Sequence, residues 1–212
     1  IFNHLIKLQN FYGILFFTFN KSTILFKFIT LFLNKMIEKA TLANGCFWCT
    51  ETIYSRVRGV VSVMPGYSGG TIKNPSYRVV CNGSTGHAEC VQIEYDNTQI
   101  DFQTLLEVFF DTHDPTTLNK QGADVGSQYR SAIFYHDEQQ LATAQDIIAS
   151  KANAFDDPIV TELIPFIVFY RAEVEHHDYY NLNPSQPYCR AVISPKVEKL
   201  ITSHTQLLKK EL

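Results

Sequence analysis

Two cysteines separated by two residues, Cys46 and Cys49, are the side chains in this sequence best suited to chemistry. A Cys-x-x-Cys spacing is typical of a redox pair or of one half of a zinc site. A tetrahedral structural zinc site needs four ligands, which usually come from a second such pair. The other cysteines stand far apart, as Cys81, Cys90 and Cys189. The pattern therefore favours thiol redox chemistry and predicts no metal.

The position of Cys46 makes it the candidate nucleophile. It follows Gly45 at a predicted junction between a strand and a helix. A helix N-terminus carries partial positive charge and free N–H donors. A cysteine at such a position has a lowered pKa and a larger thiolate fraction at neutral pH. The alternative is that Cys46 is a small buried hydrophobic residue, which is common for a free cysteine.

Two large aromatic residues, Phe47 and Trp48, follow the candidate nucleophile directly, and Trp48 is the only tryptophan in the chain. Beside a reactive thiol, such rings are suited to lining an apolar substrate pocket. Ordinary packing in the core is the alternative, since aromatic residues also dominate protein interiors.

The segments that must position these residues alternate between strand and helix patterns. We predict strands over 38–43, 60–64, 89–95, 131–135, 159–164 and 166–170. We predict helices over 47–57, 102–112, 137–152 and 174–180, and one helical turn at 77–81 within a long loop. This order predicts an α+β two-layer sandwich with a ferredoxin-like split βαβ core, a mixed sheet and long irregular loops.

The residues around Cys46 resemble a known family. Gly45-Cys46-Phe47-Trp48 is similar to the active-site signature of the type A methionine sulfoxide reductases, which reduce methionine S-sulfoxide, free or in proteins, to methionine. Further blocks resemble that family in order and spacing, at 66–70, 74–77, 85–89, 113–116, 124–131 and 175–179. The resemblance extends over roughly 37–195.

The resemblance implies a role for two reacting groups. The Cys46 thiolate would attack the electrophilic sulfur of the sulfoxide. Glu89 matches the acid of the family and would give a proton to the departing oxygen. A carboxyl group in an aromatic pocket has a raised pKa and can hold a proton near pH 7. Read without the resemblance, Glu89 would be an exposed carboxylate on a strand.

Five further residues receive roles from the same resemblance. Tyr77 and Tyr129 would donate hydrogen bonds to the sulfoxide oxygen, as an oxyanion hole does. Asp124 would organise water and hydrogen bonds near that oxygen. Phe47 and Trp48 would hold the methyl group of the substrate.

The sequence leaves two candidates for the thiol that recycles Cys46. Attack leaves Cys46 as a sulfenic acid, which condenses with a second thiol to a disulfide. The resemblance implies that Cys189 is this resolving thiol, on a mobile tail, and that thioredoxin reduces the disulfide without a bound cofactor. Cys49 occupies a position where the family often has glycine, so it is a rival resolving thiol. We interpret Cys81 and Cys90 as structural.

Composition excludes several classes of partner. The net charge of −3 provides no basic surface for nucleic acid. Five cysteines, an odd number without a pairing framework, favour a reducing compartment, so we expect a cytoplasmic monomer. The apolar runs near the N-terminus are too short to span a membrane.

The first 35 residues differ in composition from the rest of the chain. They contain no Asp or Glu and hold eight of the 16 Phe. We interpret 1–35 as a non-native or leader extension outside the fold, with Met36 as the natural start, and 36–212 as a single catalytic domain. An uncleaved or organelle-type leader is the alternative.

Two other functions fit part of the pattern. A Cys-x-x-Cys thiol–disulfide oxidoreductase would need only Cys46 and Cys49 and would be indifferent to Glu89. A non-catalytic module that binds methionine through Phe47 and Trp48 would be unaffected by loss of the Cys46 thiol.

Overall fold

The computed structural model describes residues 37–210, so the predictions about 1–35 lie outside the described residues. Its strands are β1 Ile37–Asn44, β2 Val60–Ser68, β3 Ala88–Asp96, β4 Lys120–Gln121, β5 Asp124–Val125, β6 Ser131–Tyr135, β7 Glu162–Pro165 and β8 Tyr170–Arg171. Its α-helices are α1 Phe47–Ser55, α2 Tyr77–Cys81, α3 Phe102–Thr112, α4 Glu138–Lys151, α5 Tyr179–Leu182 and α6 Ser194–Ser203.

One mixed sheet forms the centre of the fold, with the strand order β7-β6-β1-β3-β2-β8. The strands β1 and β2, joined through α1, both pair antiparallel with β3, which lies between them. β6 pairs antiparallel with β1 and parallel with β7. This arrangement is the split βαβ unit of a ferredoxin-like core, and the predicted fold class is confirmed.

Apolar side chains are buried on both faces of the sheet. Successive residues of a strand point to opposite faces, so neighbours in the sequence belong to different clusters. On β1, Leu42 belongs to the main core, in which α3 buries Leu105, whereas the neighbouring Ala43 belongs to a smaller cluster. Cys90 is fully buried in that smaller cluster. Across residues 37–210, no helix has the length and apolar character required to cross a membrane.

The second strand is longer than the predicted strand over 60–64, because it continues through Pro65 and Gly66. The Pro65 carbonyl accepts a hydrogen bond from Ala172 N. The missing N–H of the proline therefore faces the edge strand β8 and removes no bond to β3. A Cβ atom at position 66 would clash with the backbone oxygen of Tyr170, so glycine permits the close approach of β8.

The prediction of a continuous helix over 174–180 is wrong. The segment forms a 3₁₀ turn, Val174–His176, and then α5, which begins at Tyr179. Between them Asp178 adopts the left-handed conformation, with φ of 52°. The strands predicted over 159–164 and 166–170 are also shortened to β7 and β8.

Candidate active site

The turn from β1 into α1 places Cys46 at the N-cap of the helix. Its backbone is extended, and its carbonyl accepts hydrogen bonds from the N–H groups of Cys49 and Thr50. Gly45 makes the turn possible, since it has φ of 98° and a Cβ atom there would lie 2.6 Å from the Gln121 side chain. Only 6% of the Cys46 surface is exposed, so the thiol lies in an enclosed pocket.

The thiols of Cys46 and Cys49 form a hydrogen-bonded pair. Burial raises the pKa of Cys46, whereas the hydrogen bond from Cys46, together with the charge of Lys196, lowers the pKa of Cys49. The pair can therefore carry one negative charge, stabilised by the S–H group that remains. The raised pKa of Cys46 corrects the expectation of a lowered pKa at the helix N-terminus, because desolvation by burial outweighs the hydrogen bonds with the Tyr188 hydroxyl and the Trp48 backbone that lower it.

The third cysteine of the site, Cys189, opens a π-helical turn, Cys189–Ile193, that leads into α6. Cys189 is fully buried, and it belongs to one apolar cluster with Cys46 and Cys49. In this conformation Cys189 lies in a helical turn, and its mobility stays a prediction. Both candidate resolving thiols are in the immediate surroundings of the candidate nucleophile.

Glu89 lies near the start of β3 and is almost fully buried, with 1% exposure. Its Oε2 atom accepts a hydrogen bond of 3.1 Å from Phe47 N. Its Oε1 atom has no hydrogen-bond partner among the described residues. Burial, and secondarily the negative charge of Cys46, hold the pKa of Glu89 well above its ordinary value. The side chain consequently favours its neutral, protonated form more than an ordinary carboxyl group does, and one of its oxygens has no partner among the described residues.

Two tyrosine hydroxyls accompany this acid. Tyr77 opens α2, and Tyr129 ends the 3₁₀ turn Ser127–Tyr129. Burial and the neighbouring charge of Glu89 raise the pKa of both phenols, which therefore remain O–H donors. The Tyr77 hydroxyl forms a hydrogen bond with the Cys81 thiol. Cys81, interpreted from the sequence as structural, is thus a neighbour of a predicted site residue.

A tyrosine that received no separate role in the sequence analysis, Tyr188, connects two predicted site residues. Its hydroxyl donates a hydrogen bond of 2.6 Å to Asp124 Oδ2 and also interacts with the Cys46 thiol. Asp124 is held on the two-residue strand β5. The position of Tyr188, directly before Cys189, was the available signal for its place in the site.

Aromatic rings enclose the remaining side of the site. Phe47 is buried, with its ring centroid 5.8 Å from Tyr67 and 5.4 Å from His176. Trp48 stacks on Tyr179 with centroids 3.7 Å apart and planes 7° from parallel. The buried Nε1 atom of Trp48 has no hydrogen-bond partner among the described residues. These rings form an apolar wall suited to a thioether or methyl group.

The structure brings the predicted site residues together around Cys46, although they come from widely separated segments. Cys90 is the exception among the cysteines, since it lies in the separate cluster behind β1 and β3. Within residues 37–210, no group of three or more His, Cys, Asp or Glu side chains is arranged to hold a metal ion. The arrangement can combine a thiol nucleophile, a neutral carboxylic acid and an apolar wall.

The chain matches a family model described as peptide methionine sulfoxide reductase over residues 38–209. It is 56% identical over 165 residues to the peptide methionine sulfoxide reductase MsrA of Saccharolobus solfataricus, covering 78% of this chain and 93% of that protein. It is 48% identical over 172 residues to an MsrA of Thermus thermophilus, covering 81% of this chain and 98% of the relative.

Two solved structures are similar to this fold. One is methionine sulfoxide reductase A of Corynebacterium diphtheriae, with a TM-score of 0.69 and 36% identity, covering 71% of this chain and 76% of that one. The other is Mxr1 of Saccharomyces cerevisiae in its reduced form, with a TM-score of 0.68 and 36% identity, covering 73% of this chain and 90% of that one.

Proposed function

We infer the reaction from the premise that this chain belongs to the peptide methionine sulfoxide reductase family. It reduces methionine S-sulfoxide, free or within a protein, to methionine, with thiols as the source of electrons. The observation that carries this function is the buried Glu89 carboxyl group with its unpartnered Oε1 atom, close to the Cys46 thiol. A simple thiol–disulfide oxidoreductase has no departing oxygen to protonate, whereas sulfoxide reduction requires a proton on that oxygen.

The first chemical step joins the nucleophile and the acid. The Cys46 thiolate attacks the sulfur of the sulfoxide, and Glu89 gives its proton to the sulfoxide oxygen. The S–O bond of the substrate then breaks, and the hydroxyl group passes to the Cys46 sulfur. The products are methionine and Cys46 sulfenic acid, so the substrate sulfur is reduced and Cys46 is oxidised.

The surrounding side chains lower the activation barrier by donating hydrogen bonds to the substrate oxygen and by holding the substrate methyl group. Tyr77 and Tyr129 remain protonated, and their hydroxyls donate to the oxygen as negative charge develops on it. Phe47 and the Trp48–Tyr179 stack hold the methyl group of the substrate. Asp124 accepts a hydrogen bond from the Tyr188 hydroxyl and so fixes the Tyr188 side chain near Cys46.

Recycling requires a thiol to displace hydroxide from the sulfenic acid. We assign this step to Cys189, with Cys49 as the alternative, because both are buried in the same cluster as Cys46. The resulting disulfide is reduced by thioredoxin as an external dithiol. The reaction needs no bound cofactor, since both electrons come from cysteine thiols. We further assign the activity to a single domain formed by 36–212 and place the protein in a reducing compartment.

Selectivity for one sulfur epimer tests the proposed function. The purified protein, supplied with thioredoxin, thioredoxin reductase and NADPH, should reduce the S epimer of methionine sulfoxide and leave the R epimer almost unchanged. The reason is that the donors to the oxygen and the wall for the methyl group lie on fixed sides of Cys46. Methionine formation is measured by chromatography for each epimer separately. Equal rates with both epimers would contradict the assignment.

Separate serine variants identify the resolving thiol. Cys189→Ser should release about one equivalent of methionine per enzyme and then stall with thioredoxin, because its sulfenic acid lacks a partner. A small dithiol such as dithiothreitol should restore turnover. Cys49→Ser should cycle with thioredoxin, since a disulfide across the first turn of α1 must meet strict Cβ geometry.

The same comparison can reverse the assignment of the two cysteines. If Cys49→Ser stalls and Cys189→Ser cycles, then Cys46 and Cys49 form the redox couple. Mass spectrometry of the oxidised protein, trapped by alkylation of its free thiols, identifies the disulfide directly.

A further inference from the structure

A buried carboxylate on α1 is not used by the reaction described above. Glu51 is 7% exposed, and both of its carboxylate oxygens accept hydrogen bonds from the backbone N–H of Asp178, at 2.9 and 3.0 Å. Asp178 is 127 positions away along the chain. The carboxylate therefore ties the helix that carries Cys46 to the segment that leads into α5.

The tie is made at the point where that segment changes direction. Asp178 has φ of 52° and precedes Tyr179, the first residue of α5. A non-glycine residue in the left-handed region is uncommon and must be held by its surroundings. The Glu51 carboxylate meets the N–H that this turn directs toward α1. The interrupted helix over 174–180 thus has a physical cause outside its own sequence.

The residue next to the turn completes the substrate wall. Tyr179 stacks on Trp48 with nearly parallel planes. Trp48 and Glu51 are three positions apart on α1 and so lie on the same side of the helix. The Trp48 ring stacks on the ring of Tyr179, and the Glu51 carboxylate accepts a hydrogen bond from the backbone N–H of Asp178, the residue just before Tyr179.

The two ends of this segment lack packing, whereas His176 within it is buried against Phe47, Trp48 and Tyr77. Val174 at its start is 78% exposed and Leu182 at its end is 71% exposed. A second polar tie, from Arg56 Nη2 to Asn181 Oδ1 at 3.1 Å, is exposed to solvent. A buried hydrogen bond to a charged group contributes more than an exposed one. Burial also raises the pKa of Glu51 to about 7, because the buried carboxylate loses its hydration. An apolar or amide side chain at this position would avoid that desolvation cost.

We propose that Glu51 is a positioning residue for substrate binding, which acts by holding the turn at Asp178 so that Tyr179 stays stacked on Trp48. Glu51 does not touch the substrate and takes no part in proton transfer to the sulfoxide. Its effect is on the shape of the methyl-binding wall. The inference rests on the proposed function of that wall in binding methionine sulfoxide.

The test compares Glu51→Gln with the wild-type protein. The amide can still accept one hydrogen bond from Asp178 N, but it lacks the negative charge and the second acceptor oxygen, so the contact weakens and the turn should loosen. The KM for methionine S-sulfoxide should rise about tenfold, in keeping with loss of a hydrogen bond to a charged group. The rate of methionine release in a saturating single turnover should change less than about threefold, because Glu51 does not touch the reacting atoms. The emission of Trp48, the only tryptophan, should move to longer wavelength as water reaches the indole ring.

Control variants separate the expected changes in KM and Trp48 emission from a general loss of folded structure. Glu138→Gln makes the same carboxylate-to-amide change at an exposed position on α4 and should alter neither KM nor emission. Tyr179→Leu should raise KM and shift the emission while Glu51 is intact. In the double variant Glu51→Gln with Tyr179→Leu, the KM should be no higher than that of the worse single variant, because both changes act through one contact.

Several results would overturn the proposal. They are unchanged KM and emission in Glu51→Gln, unchanged KM in Tyr179→Leu, or a double variant whose effects multiply. The Tyr179→Leu result applies even if Glu51→Gln does not fold. A wild-type protein that reduces neither epimer of methionine sulfoxide would instead contradict the proposed function. The emission of Trp48 in the Glu51 variant would still test the tie itself.

Discussion

Replacing Cys46 by serine should abolish reduction of methionine S-sulfoxide, with less than about 1% of the wild-type rate remaining, because a serine hydroxyl is a far weaker nucleophile than a thiolate near neutral pH. Neither neighbouring thiol should replace Cys46, because only Cys46 occupies the N-cap of α1 beside Glu89. The measurement is methionine formed from the S epimer with dithiothreitol as reductant, which bypasses the resolving thiol.

A matched control removes a cysteine that lies outside the site. Cys90→Ala changes a thiol buried in the small cluster behind the sheet and should retain most of the activity. Substantial turnover by Cys46→Ser would contradict the central chemical claim. Binding of methionine sulfoxide without turnover in the wild-type protein would instead support the methionine-binding module.

Replacing Glu89 by glutamine should slow sulfenic acid formation by about 10²- to 10⁴-fold, the usual contribution of a general acid. The amide keeps the shape of the side chain and can still accept the hydrogen bond from Phe47 N. It has no proton to give to the sulfoxide oxygen. The measurement is the rate of methionine release in a single turnover, at saturating substrate, with the fold checked by circular dichroism.

The pH dependence of the same step provides a second measurement. Burial raises the pKa of Glu89, so its acid form persists to a higher pH than that of an ordinary carboxyl group and is lost as pH rises through the raised pKa. The wild-type rate should therefore fall on the alkaline side, and Glu89→Gln should lack this limb. Glu94→Gln, on the same strand but partly exposed beside Lys39, is the control and should behave as wild type. A Glu89→Gln rate equal to wild type would reduce Glu89 to a structural role.

The regular elements could be predicted from local patterns because their own residues determine them. The helix over 102–112 and the strand over 131–135 have the predicted bounds, since the first has a helical apolar period and the second is a short continuous apolar run. The interrupted segment 174–180 could not be predicted in this way. At its break, Asp178 is left-handed and its N–H donates to the Glu51 carboxylate, which is remote in sequence and reaches Asp178 only in the folded chain.

For the candidate site, too, some residues could be predicted from the sequence and other properties depended on the fold. Cys46 could be named as a candidate from its own position, whereas Glu89, Tyr77, Tyr129 and Asp124 could be named only because the blocks that contain them resemble one family. The raised pKa of Glu89 was expected from the resemblance, but its burial could not be predicted from local sequence, since a carboxylate on a strand is ordinarily exposed. Tyr188 was overlooked for a similar reason, because nothing local indicates that its hydroxyl reaches Asp124.

By itself the sequence determined the reacting thiol, the aromatic residues beside it, the order of strands and helices and the resemblance to one family. These properties depend on residue types and on spacing within short segments. Only the tertiary structure decided that Glu89 is buried with a free oxygen, that Cys46, Cys49 and Cys189 share one cluster, and that Glu51 holds the turn before Tyr179. Burial, pKa and contact are set by neighbours far away along the chain, and such neighbours meet only when the sheet and its helices pack together.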